Sequence, residues 1–227
     1  HLVGRSFKYH RPRGIMTAGS EEPNAIVQVN DSSDRTEPNV RATEVEIYEG
    51  LEASSQNCWP SVNFDIGGIN NAISAFLPAG FYYKTFMWPA SFWEKYEYFI
   101  RHSAGLGKSP TEKDPDIYDH RNIHCDVLVV GGGISGILAA KNAAKNNLKT
   151  LLVDEKNELG GATIYQNREL NKIDNQSSSD WIKKEIQELR NIKNLEIKTR
   201  TSVAAYHGYN YLLARENLTD HLEKKDK

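Results

Sequence analysis

Three glycines in the second half of the chain carry the clearest chemistry. Gly131, Gly133 and Gly136 form GxGxxG directly after the apolar run CDVLVV and just ahead of ILAAKNAAKNN. A dinucleotide's pyrophosphate must be held with no bulky side chain in the way. A helix N-terminus supplies free N–H groups and a positive dipole end for that purpose. The glycines serve the tight turn, the approach of backbone to phosphate and close helix packing, while Gly132, Ile134 and Ser135 complete the turn. A second apolar run, TLLV, ends in Asp154 and Glu155, and Asp154 lies 18 residues after Gly136, where an acid can accept hydrogen bonds from an adenosine ribose. An acid there favours NAD or FAD over NADP and does not separate the first two. Strand, glycine turn, helix, strand and acid in register make a far more specific signal than the glycines alone.

Other chemistry is weakly represented. The chain holds two cysteines, Cys58 and Cys125, too few for a disulfide framework or a four-thiolate metal site, so no metal and no iron–sulfur cluster are expected. The seven histidines show no HExxH spacing and no GxSxG elbow occurs, so no catalytic side chain is nominated. Near-neutral charge, with 28 Lys+Arg against 30 Asp+Glu, argues against a nucleic-acid binder. Arg5, Lys8, His10, Arg11 and Arg13 concentrate positive charge at the start, a pattern that a solvated turn or inter-domain contact explains better than an anion site. The longest apolar stretch, 127–140, is too short to span a bilayer and is broken by four glycines. A cytoplasmic protein without a membrane segment is expected.

Three zones must position these groups. Residues 1–49 read as β-rich, with strands expected at AIVQV and ATEVEIYEG. Residues 50–122 are punctuated by Pro and Gly and carry one expected helix, Ser91–His102. The stretch 81–99 holds 10 of the 22 aromatics, as a core or as a subunit or domain interface. Residues 123–227 form an α/β dinucleotide domain, with a further helix over 179–191, where Asp180 is a candidate cap, and strands over 195–204 and 209–215. A complete doubly wound domain needs more parallel strands, and the chain opens on His, so a piece of a longer protein is expected.

The segment ELGGAT places Gly160 and Gly161 beyond the acid, and resembles the glycine pair of two-dinucleotide flavoproteins of the glutathione-reductase-like type. Four longer motifs are more specific: GRSFKYHRPRGIMTAGSEEPNA at 4–25, SQNCWPSVNFD at 55–65, FLPAGFYYKTFMWP at 76–89 and HCDVLVVGGGISG at 124–136. Together they resemble the alpha subunits of the heterotetrameric sarcosine oxidase family. That resemblance implies a complex of alpha, beta, gamma and delta subunits that demethylates sarcosine to glycine, reduces O2 to H2O2 and passes one carbon to tetrahydrofolate. It further implies NAD on this chain, with FAD and FMN in the assembled complex. The first 49 residues would be part of a β-grasp domain related to [2Fe–2S] ferredoxins, without cluster cysteines. A related alpha subunit acting on an opine, proline or dimethylglycine, and a non-catalytic NAD-binding scaffold, are the alternative readings.

Overall fold

The computed structural model describes residues 26–31, 35–42, 45–56, 58–61, 63–66, 69, 86, 88–103, 105–111, 113–114, 116–165 and 172–222. The chain divides into two compact units, His1–Ile117 and Tyr118–Lys227. The basic cluster at residues 5–13 and the aromatic run at 81–85 lie outside the described residues.

In the first unit β1 (Ile26–Asp31) is the central strand of an antiparallel sheet, flanked by β2 (Arg35–Arg41) and β3 (Glu52–Ser55). Of the expected strand ATEVEIYEG, the described residues 42 and 45–50 form no strand. β2 and β3 both run antiparallel to β1, so they are parallel to each other, and the chain between them must travel back past β1. Both edges of β1 are taken, and the alternating segment becomes that return, ending in a turn at Gly50 (φ +88°) with Ile47 fully out in solvent. Gln56 accepts the Asn39 N–H at 2.8 Å, and Asn39 Oδ1 in turn accepts the Gly107 N–H at 2.8 Å, fastening a later loop to the sheet. Helix α1 (Trp93–Ser103) forms where expected, one turn after Pro89.

The second unit is built on three parallel strands in the order β4 (Val127–Val130), β5 (Thr150–Val153), β8 (Leu195–Lys198). All four residues of β5 are buried, as a central parallel strand covered on both faces requires. Helix α2 (Ile134–Lys145) connects β4 to β5 and buries Ile137, Ala140 and Ala144, and the two alanines allow close packing on the sheet. It stops at Asn147, which takes the left-handed conformation (φ +62°) usually left to glycine. Between β5 and β8 lie the small hairpin β6 (Lys172–Ile173) and β7 (Gln176–Ser177), then α3 (Ser178–Arg190), which buries Trp181, Ile182, Glu185 and Leu189. Ile137, Ala140, Leu152, Leu159, Trp181, Ile182 and Leu189 form one apolar cluster between helices and sheet.

Asp180 is not the cap of α3. Ser177 precedes the helix in an extended conformation and its Oγ accepts the Asp180 N–H at 3.1 Å, while its hydroxyl donates to Asp180 Oδ2 at 2.6 Å. Asp180 thus stands in the first turn, where its charge suits the helix dipole. Ser177→Ala is expected to cost about 1 kcal/mol, read as a lowered denaturation midpoint with unchanged slope.

The strand expected over 195–204 is two strands. Arg200 turns at φ +52°, and its N–H donates to the Lys156 carbonyl at 2.8 Å, so the chain leaves the parallel sheet after β8 and enters a separate antiparallel ribbon of β9 (Thr201–His207) and β10 (Tyr211–Glu216). Tyr209 is in the turn joining them rather than in a strand, at φ +61°.

Candidate dinucleotide-binding site

The glycine turn sits at the carboxyl ends of β4 and β5, at the start of α2. This is the end of an open parallel sheet at which ligands bind. Gly131 has φ +97°, and its N–H donates to Val153 O at 2.8 Å, which extends the β4–β5 pairing into the turn. A Cβ on Gly136 would lie 1.8 Å from Gly131 O, so the helix packs against the turn at a distance that only glycine permits. A Cβ on Gly133 would meet nothing within 4 Å, so the backbone there faces open space. Gly133 is also the residue that precedes α2, and no side chain caps that end. The N–H groups of the first helical turn, Ile134 and Ser135 among them, have no acceptor inside the helix. An uncapped helix start beside an open glycine is a cradle that fits a pyrophosphate.

Asp154 follows β5 and is 8% exposed. Its carboxylate points back to the turn: Oδ2 accepts the Gly132 N–H, and Oδ1 accepts the Lys156 N–H at 2.8 Å. Each oxygen keeps a further lone pair. Glu155 is exposed beside it. Gly160 donates its N–H to Gly132 O at 2.8 Å, and a Cβ on Gly161 (φ +55°) would stand 3.3 Å from Gly133 Cα. The structure therefore brings Gly131, Gly132, Gly133, Ile134, Ser135, Gly136, Asp154, Gly160 and Gly161 together at one end of the sheet. Sequence reasoning missed Leu159, whose Cδ2 occupies the space that a Cβ on Gly132 would take, so that a side chain there would have to displace Leu159. It also missed the Lys156 backbone, which serves both Asp154 and Arg200. The spacing of apolar and acidic residues after β5 holds no signal for either.

A depression at the opposite, amino-terminal ends of the same strands is lined by His124, Cys125, Lys149, Lys193 and Asn194. Burial raises the Cys125 thiol pKa, against the pull of the Lys149 charge. A thiol so shifted is a poor nucleophile at neutral pH. The glycine turn, rather than this depression, is therefore the candidate site. Among the described residues no cluster of three or more His, Cys, Asp or Glu could hold a metal ion, and no helix is long and apolar enough to cross a membrane.

Residues 126–223 match the FAD dependent oxidoreductase family, and residues 1–58 match the 2Fe-2S iron-sulfur cluster binding domain. Across its whole length the chain is similar to a sarcosine oxidase subunit alpha of Rhizobium meliloti, 49% identical over 224 residues, covering 98% of this chain and 22% of the relative. The chain is homologous to sarcosine oxidase alpha subunits. Two Corynebacterium relatives of the same description are 30% and 31% identical, with 97% of this chain and 18% of each relative covered. The chain thus spans about a fifth of the length of these alpha subunits.

These matches correct the cofactor expectations. The family matched over the glycine turn is described as FAD dependent, which points to FAD where NAD was expected. The expectation of no iron–sulfur cluster is contradicted by the match of residues 1–58 to a 2Fe-2S cluster binding domain. Counting cysteines missed it because a domain match follows the pattern of the whole stretch rather than a ligand set. Residues 1–58 of this alpha-subunit homologue contain one cysteine, Cys58, whose thiol is 2.8 Å from Ser55 Oγ. Such clusters take about four protein ligands, mostly thiolates, a set that this stretch does not fit, and no chemistry is derived through a cluster.

Proposed function

We propose that the second unit binds a dinucleotide, FAD, through the glycine turn, as part of an alpha subunit in a sarcosine oxidase complex. The open backbone at Gly133, set against an uncapped helix start, carries this reading. Gly131 to Gly136 shape the pyrophosphate cradle, Asp154 and Glu155 stand on the ribose side, and Gly160–Gly161 close the loop from the other side. FAD, when bound, supplies the two-electron acceptor. The chain's own residues hold and orient it, and no described side chain is placed to move a proton.

The 49% identity to a sarcosine oxidase alpha subunit supports the reaction class. In it sarcosine loses two electrons at its methyl C–N bond, O2 takes them up as H2O2, glycine is released, and the one-carbon unit goes to tetrahydrofolate. Beta, gamma and delta subunits in a cytoplasmic heterotetramer are the partners of this reading. The three-zone division at 49/50 and 122/123 belongs to the same proposal. A related secondary amine as substrate is the alternative, decided by a substrate panel on the purified complex.

The direct test is mass spectrometry of nucleotides released on denaturing the complex purified through a tag on the full-length protein. FAD is the expected product. A different dinucleotide would keep the turn and change the cofactor, whereas no nucleotide at all would remove the assignment.

A further inference from the structure

The acid after β5 does something that its position in the sequence does not reveal. A carboxylate next to an anion-binding turn is electrostatically adverse unless it works for the turn. Here both oxygens of Asp154 are bonded to backbone N–H groups, one of them from Gly132 in the middle of the fingerprint. The Gly132 N–H is therefore spent on Asp154, and the donors left for a phosphate are those at the start of α2. The same residue is held a second time through its carbonyl, which accepts the Gly160 N–H at 2.8 Å, and Gly161, at a positive φ, lies so near the turn that a Cβ on it would stand 3.3 Å from Gly133 Cα. Leu159 fills the space under Gly132. The turn is thus gripped at both its donor and its acceptor before any ligand arrives.

We propose that Asp154 and the Gly160–Gly161 pair are positioning residues that preorganise the phosphate-binding turn, so that affinity for the diphosphate depends on Asp154 whether or not the ligand offers ribose hydroxyls. The inference rests on the dinucleotide reading above. Preorganised backbone donors bind more tightly because the ordering cost is met in the free protein. Asp154→Asn is nearly isosteric, but one of its two atoms becomes a donor facing an N–H, which frees either Gly132 or Lys156.

The test uses the full-length protein stripped of nucleotide, with ADP and 2′,3′-dideoxy-ADP as probes in calorimetry. D154N is expected to weaken both by roughly tenfold, and by the same factor. A loss confined to ADP would mean that Asp154 reads the ribose and would overturn the proposal, as would unchanged affinity. Amide exchange supplies a readout independent of binding. In D154N the Gly132 amide is expected to lose protection while the α3 amides keep theirs, and unchanged Gly132 protection would overturn the lock. If the wild-type protein binds neither probe, the dinucleotide reading falls, while Gly132 exchange still decides whether the lock exists. Should D154N fail to fold, Gly161→Ala tests the same grip without touching Asp154: an equal loss for both probes supports it, and unaltered binding overturns it.

Discussion

Gly136→Ala is expected to destabilise the second unit strongly, whereas Gly133→Asp is expected to leave the fold intact and abolish nucleotide binding. Both positions are glycines of one motif, and the difference lies in what a side chain would meet. At 136 the new methyl would lie 1.8 Å from the Gly131 carbonyl oxygen, a backbone atom that cannot swing aside without opening the β4–β5 junction. Overpacking against rigid backbone costs about 3 kcal/mol, which for a unit of this size lowers Tm by roughly 10 °C or more. At 133 the added Cβ meets nothing within 4 Å, and the residue has φ −71° and ψ −176°, open to any L-residue. An Asp there also precedes α2 as a favourable cap, so stability should hold or rise slightly. Its negative charge would stand where the pyrophosphate must land, and affinity should fall by on the order of a hundredfold or more, since repulsion adds to the lost helix-start donors. Melting curves and nucleotide retention on both variants decide the matter. Equal destabilisation would sink the claim that the two glycines do different work.

Much of this contrast was legible before any coordinates. Local signals, read over a few residues, placed the βαβ unit, the GxGxxG turn and the acid after the second strand within a residue or two of where they stand. What failed was non-local. ATEVEIYEG alternates like a strand, yet both edges of β1 are occupied by β2 and β3, and pairing partners are not written into a segment's own pattern. Arg200 and Tyr209 sit at positive φ in turns that their residue types do not advertise, which is why one expected strand was two and another began two residues late. The direction of the Asp154 carboxylate was hidden for the same reason. Its partners are backbone N–H groups, which every non-proline residue possesses and no motif marks. The ferredoxin-like type of the N-terminal stretch was legible in its long motif, whereas the exclusion of a cluster rested on a cysteine count that carries no information on domain type.

Lys141→Met is expected to destabilise the same unit by about 2 kcal/mol at neutral pH, without touching the glycine turn. Lys141 lies on α2 and reaches across to α3, where its ammonium group donates to both Glu185 and Glu188, the latter at 2.6 Å. The Lys141 and Glu185 side chains are only 14% and 11% exposed, so this is a clamp between the helices rather than a solvated surface pair. Methionine keeps the length and apolar stem of lysine but removes the donors, and a nearly buried Glu185 loses its partner, which costs more than the clamp itself contributes. The pH dependence follows from two shifts. The hydrogen bonds to Glu185 and then Glu188 raise the Lys141 pKa, and the hydrogen bond from Lys141 lowers that of Glu188. A raised lysine contributes fully below its unfolded value of about 10.4, and the contribution is lost as pH climbs through the folded one. A depressed glutamate contributes above about 4.3 and loses its contribution as pH falls through the folded value. The gap between wild type and Lys141→Met in urea should therefore be flat from about pH 5 to 9.5 and narrow at both ends. A gap that is constant out to pH 11 would show that the variant loses packing and not charge, and that the two helices are held by their apolar faces alone.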